Sequence, residues 1–187
     1  MDKSSKHQEP VAADQEVNTI GRCEIDSRAD TCHAGNNWRL LSTTGHLCDE
    51  KLFHRSYEAI TNVLVGRASI EVVYGDVIVY IFILNEAPLF GNLMNHSLIN
   101  PNHIRPFGIL VSNDPFDRTW DFGIYHEEIF IKFRTEGEIV LLDTYVPSDH
   151  KLETCDHTLL TDGQVEQKPA KITMDRNMPY RYKAYVT

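Results

Sequence analysis

The stretch "RASIEVVYGDVIVYIFILNEA", residues 67–87, decides the class of fold. β-Branched and aromatic residues stand on both sides of Gly75-Asp76, which reads as a β-hairpin with a tight turn. The second arm, Val77 to Leu84, is a continuous apolar run. Such a run is expected of a strand buried on both faces.

Working outward, short strands dominate. Downstream, "HSLINPNHIRPFGI" at 96–109 places the apolar pair Leu98-Ile99 before a short helix around 102–107. Pro101 opens that helix and Gly108 closes it. Pro106 holds it to about one turn. Strand patterns follow at 108–112, 128–137 and 138–147, with "TEGE" at 135–138 as the turn between the last two. "HTLLTDGQVEQ" at 157–167 adds one more strand. Upstream, "YEAITNVLV" at 57–65 fits helix or strand, and "GNNWRLLSTTG" at 35–45 is punctuated by Gly and Asn. "GRCEID" at 21–26 is a strand running into Asp26. The expected architecture is all-β with one or two short helices. Residues 1–18 form a flexible polar tail, 19–147 the domain, and 148–187 a polar C-terminal extension.

The totals narrow the function classes. A chain of 187 residues suits one domain with its own core. No run of about 18 apolar residues is present, so no membrane partner is expected. A net charge of −9 disfavours nucleic acid, whose binding depends on neutralising phosphates. The polar first 17 residues lack the apolar segment of a secretory signal, so an intracellular, cytoplasmic protein is expected. The four cysteines, Cys23, Cys32, Cys48 and Cys155, are scattered and read as free thiols. "CH" at 32–33 and "CDH" at 155–157 are isolated pairs without zinc spacing, so neither metal nor cofactor is expected. No Gly-x-Ser-x-Gly or Cys-His arrangement marks a serine or thiol enzyme. His96 and His103 read as structural.

Chemistry concentrates in "CEIDSRADTCHAG", residues 23–35. An apolar approach ends in Asp26, followed by Ser27, Arg28, Ala29 and Asp30. An ordinary turn aspartate is the plain alternative. "LLDTY" at 141–145 echoes the loop, but Tyr145 departs from it, and a strand ending in a turn is expected there.

The combination of "DSRADTC" at 26–32, "NEAPLF" at 85–90, "NHSLIN" at 95–100 and "HIRPFG" at 103–108 resembles the protease region of Ty1/copia-type retrotransposon polyproteins. The resemblance spans about residues 19–147. It implies a retropepsin-like acid-protease barrel and an aspartic endopeptidase acting on peptide or polyprotein substrates. Asp26 aligns with the catalytic aspartate, Ser27 with the hydroxyl that locks the loop, and Ala29 with a packed alanine. Asp30 aligns with an aspartate that holds substrate backbone, and Leu98-Ile99 with the apolar pair behind the loop. The 72–77 hairpin tip is a candidate flap. Two carboxylates share one proton in such enzymes. A chain with one such loop needs a second chain, so a homodimer is expected. Arg28 replaces the family's glycine. A guanidinium beside Asp26 opposes a shared proton, so either the loop turns Arg28 outward or the dyad is lost. In the second case the chain is an inactive, retroelement-derived binding or structural β domain.

Overall fold

The β-branched and aromatic residues of the central hairpin form the two longest strands. A computed structural model describes residues 20–50, 59–75 and 77–162. Strands β4 (Ile60–Tyr74) and β5 (Ile78–Gly91) pair antiparallel, from Leu64↔Leu89 to Tyr74↔Ile78. Gly75 takes φ +59° at the turn, where a side chain would be strained. The ambiguous 57–65 pattern resolves as strand from Ile60 onward.

The remaining elements assemble around this hairpin. They are β1 (Gly21–Ile25), β2 (Ala34–Gly35), β3 (Arg39–Glu50), β6 (Ser97–Ile99), β7 (Leu110–Ser112), β8 (Gly123–His126), β9 (Ile129–Lys132), β10 (Arg134–Glu136), β11 (Ile139–Thr144) and β12 (Asp156–Leu159). The fold is all-β. Among the described residues the helices are α1 (Pro101–Ile104), which runs into a 3-10 turn at Arg105–Phe107, and α2 (Asp149–Thr154). One sheet has the order β10-β11-β1-β6, a second β12-β5-β4-β3 with β2 beside β5, and a third β7-β8-β9. The layers share one core that includes Ile70, Phe82, Leu84, Ile99, Phe133 and Leu160. Burying each of these side chains contributes roughly 1.5–3 kcal/mol.

Pro101 opens α1 and Gly108, at φ +83°, closes the following 3-10 turn. "TEGE" is the turn between β10 and β11, with Gly137 at φ +62°. The apolar run 77–84 is buried on both faces only from Ile81 to Leu84, while Val77 is 82% exposed. Toward the turn Val77 and Ile78 are exposed and Val79 and Tyr80 half-buried, and β12 pairs with β5 only from Asp156↔Tyr80 to Leu159↔Ile83.

The boundary drawn at 147/148 does not end the packed body. Beyond it, β12 lies parallel to β5 and Leu160 is fully buried. The Thr161 hydroxyl accepts from the Asn85 backbone N–H at 2.8 Å. Lys151 on α2 meets both oxygens of buried Glu71 at 2.7 and 2.8 Å. This segment reads as polar because α2 buries no residue and β12 buries only Thr158. The expected tail at 1–18 and the chain from 163 to 187 lie outside the described residues. No described helix is long and apolar enough to cross a membrane.

Candidate active site

The loop between β1 and β2 is held at both ends by one short strand. At its entry the Asp26 N–H donates to the Ile99 carbonyl at 3.1 Å. At its exit His33 and Leu98 exchange two backbone hydrogen bonds, at 2.9 and 3.1 Å. β6 therefore lies between the loop's two ends, parallel to β1 on one side. Leu98-Ile99 does stand behind the loop, with Ile99 fully buried. Gly35 permits the close packing here: a Cβ on it would come within 2.7 Å of the Met94 carbonyl and 2.8 Å of the His96 carbonyl.

Side chains from the turn after β6 fasten the middle of the loop. Buried Asn100 donates from Nδ2 to the Ala29 carbonyl and accepts the Asn102 N–H at 2.8 Å, capping α1. Asn102 Nδ2 donates to the Ser27 carbonyl at 3.2 Å. His103 Nδ1 lies 3.2 Å from the Cys32 N–H and 3.0 Å from the Thr31 hydroxyl. A backbone N–H can only donate, so Nδ1 is the acceptor and neutral His103 carries its proton on Nε2. Burial, followed by the nearby charge of His33, lowers the His103 pKa, which favours this neutral form. A second network underlies β1. Buried Asn37 donates from Nδ2 to the Arg22 carbonyl at 3.1 Å and to Thr144 Oγ1 at 3.0 Å. Its Oδ1 accepts from Ser97, whose Oγ in turn accepts the Gly35 N–H at 2.7 Å.

Within this frame Asp26 is half-buried, and its Oδ1 accepts the Arg28 N–H at 2.8 Å. This local turn uses the backbone of residue 28 and not its side chain. Arg28 is exposed, has no left-handed backbone, and makes no side-chain ion pair among the described residues. Of the two alternatives for Arg28, the outward one is found within the chain: its exposed guanidinium does not pair with Asp26. Ser27 and Asp30 are exposed and Ala29 is half-buried, so residues 26–30 form one accessible loop.

Two other segments are placed relative to this loop. Among the described residues no hydrogen bond or ion pair joins residues 72–75 of the candidate flap to this loop. β2 meets β5 at Leu89, opposite Leu64, and Tyr74 lies ten residues farther along β4, a strand path of about 33 Å at ~3.3 Å per residue. The end of the β3–β4 hairpin lies closer, with Glu50 Oε2 3.7 Å from His33 Nε2. Residues 51–58, which join those strands, lie outside the described residues. The "LLDTY" segment lies at the end of β11, as the strand reading expected, and Asp143 stands opposite Arg22 of β1 and pairs with Arg134, whose Nε is 2.9 Å from both oxygens.

His96 is half-exposed, 3.8 Å from Glu24, and touches no loop residue by a hydrogen bond. The four cysteines are free. Burial raises the pKa of Cys23 to about 11 and of Cys32 to about 12, which keeps both as neutral thiols without nucleophilic character. Among the described residues no group of three or more His, Cys, Asp or Glu side chains is arranged to hold a metal ion. The contributions of Asn100, Asn102 and His103 escaped the sequence reading because they act across about 70 residues of chain. The only local hint was Asn-Pro-Asn at 100–102, a helix-start pattern that says nothing about what else the cap holds.

Comparison with protein-family models, with curated proteins and with solved structures finds no match.

Proposed function

We propose that the chain is an aspartic endopeptidase of the retrotransposon-polyprotein type, working in the cytoplasm as a homodimer with one Asp26 from each chain. The observation that carries this reading is the Asp26 loop. It is accessible, its aspartate accepts a backbone N–H, and it is clamped at entry, middle and exit by residues 98–103. Rigid support of this kind is what a catalytic carboxylate requires. In the dimer the two carboxylates share one proton, since like charges so close do not both ionise. One removes a proton from the attacking water while the other donates to the scissile carbonyl. Arg28 does not oppose this from within its own chain, because its guanidinium is turned to solvent.

Peptide hydrolysis measured across pH and protein concentration tests the proposal. Native protein cleaves, specific activity falls on dilution below the dimer dissociation constant, and Asp26→Asn abolishes cleavage. Undiminished hydrolysis by Asp26→Asn, or constant activity per chain from a proven monomer, overturns it.

A second reading draws on the same arginine. An exposed cation beside Asp26, with no acidic partner among the described residues, suits a β domain that has kept its fold and uses this loop for binding without hydrolysis. Dimerisation without cleavage at any pH is the result that favours it.

A further inference from the structure

Between the Asp26 loop and the β3–β4 hairpin lies an open cavity of about 320 Å³. Thr31 supplies the wall on the loop side, and Val65 and Pro88 supply apolar surface. Glu50 at the end of β3 and Glu86 on β5 bring two carboxylates to the same lining. The size stands at the lower end of the range for small-molecule sites, roughly 300–1,000 Å³.

These carboxylates have no salt-bridged lysine or arginine among the described residues. Glu50 has His33 at 3.7 Å and the Cys48 thiol at 3.8 Å. Burial lowers the His33 pKa, so near neutral pH that imidazole is uncharged and leaves the carboxylate its full charge. His46 also lines the cavity, but it is exposed. Glu86 stands at a bulge: two residues of β5, Asn85 and Glu86, face Arg67 alone on β4 between the pairs Gly66↔Ala87 and Ala68↔Leu84. Bulges redirect side chains next to binding sites.

We propose that this cavity is a specificity subsite that receives a lysine or arginine side chain of a peptide bound at the Asp26 loop. The methylene stem lies against Val65 and Pro88, and the cationic head meets Glu50 and Glu86. Acidic side chains are repelled. The inference rests on the endopeptidase reading for its substrate class, but peptide binding tests it separately from hydrolysis.

The experiment uses labelled dodecapeptide pools with one fixed residue, lysine, arginine, norleucine or glutamate, among randomised uncharged positions. Binding is measured by fluorescence anisotropy with the full-length Asp26→Asn protein, and cleavage with native protein. Lysine and arginine pools bind about tenfold tighter than the norleucine pool, as expected of charge-assisted contacts in a partly buried site. The glutamate pool binds weakest. Glu50→Gln with Glu86→Gln removes the preference and leaves norleucine binding unchanged; if that double variant loses its native circular dichroism, Glu50→Gln alone carries the test and narrows the preference. Equal binding of the lysine and norleucine pools overturns the subsite, as does a preference that survives in a folded glutamine variant. If native protein cleaves no pool while the cationic preference persists in binding, the endopeptidase reading falls and the subsite stands.

Discussion

The backbone N–H of Arg28 lies 2.8 Å from Asp26 Oδ1, while the Arg28 guanidinium makes no ion pair among the described residues. The residue that departs most from the resembling family thus keeps the backbone contact and sends its charge away from the carboxylate. Its backbone is not left-handed, so the position does not demand glycine. Arg28→Gly is therefore expected to preserve the turn. It costs about 0.5–1 kcal/mol, through the greater freedom of the unfolded chain. Urea denaturation reads the stability, and cleavage rates within about threefold of native are expected. A gain of ~10²-fold or more in cleavage would show that the two arginines oppose each other in the proposed dimer.

Asn100 holds the loop and the helix together. Asn100→Ala strands the Ala29 carbonyl and removes the α1 cap. A loss of about 2–3 kcal/mol is expected from these two effects. Hydrogen exchange should show faster opening at residues 28–33 than in the strands of the central hairpin. Unchanged protection there would mean that the loop is held by its ends alone.

His103 makes stability depend on pH. Its Nδ1 accepts from Cys32 and Thr31, and an imidazolium has no lone pair to accept with. Burial lowers its pKa below the ordinary value of 6.5, and His33, facing Glu50 and Asp30, is lowered as well. The unfolded chain then binds protons first on acidification. The contribution is full above about pH 6.5 and is lost as pH falls from there toward the folded-state pKa. His103→Asn offers an uncharged acceptor in place of Nδ1. Denaturation midpoints measured from pH 7.5 to 5 should fall less steeply for this variant than for native protein. Parallel pH profiles would exclude His103 as the source.

Glu71 is 2% exposed and both its oxygens bond Lys151 Nζ. Lys151→Met leaves that carboxylate buried and unpaired, at a cost of about 3 kcal/mol. Adding Glu71→Leu should restore most of the loss, since replacing both partners of a buried pair is often neutral. Thermal unfolding of the two single variants and the double variant measures the coupling. If Lys151→Met unfolds like native, the pair contributes nothing and α2 is held by other contacts.

The all-β class, the hairpin about Gly75, the helix start at Pro101 with its stop at Gly108, and the Asp26 loop were legible in the sequence. Each is a local signal, carried by side-chain alternation or by the backbone preferences of a few adjacent residues. Three elements were not legible. β3 runs twelve residues yet none is fully buried, so it shows no inside–outside alternation. β8 is four residues long and depends on Gly123, where a Cβ would meet the Ile131 carbonyl at 2.3 Å. α2 buries none of its residues and so shows no apolar stripe. The candidate site divides in the same way. Asp26 and its neighbours could be named from sequence order, but tertiary structure alone decided what supports and borders them. The clamp from Asn100, Asn102 and His103, the hairpin end that approaches the loop, and the placing of Glu50 and Glu86 on one cavity all depend on pairings between distant segments. Sheet register sets those pairings, and register follows from which faces the whole chain can bury together, a quantity no local stretch contains.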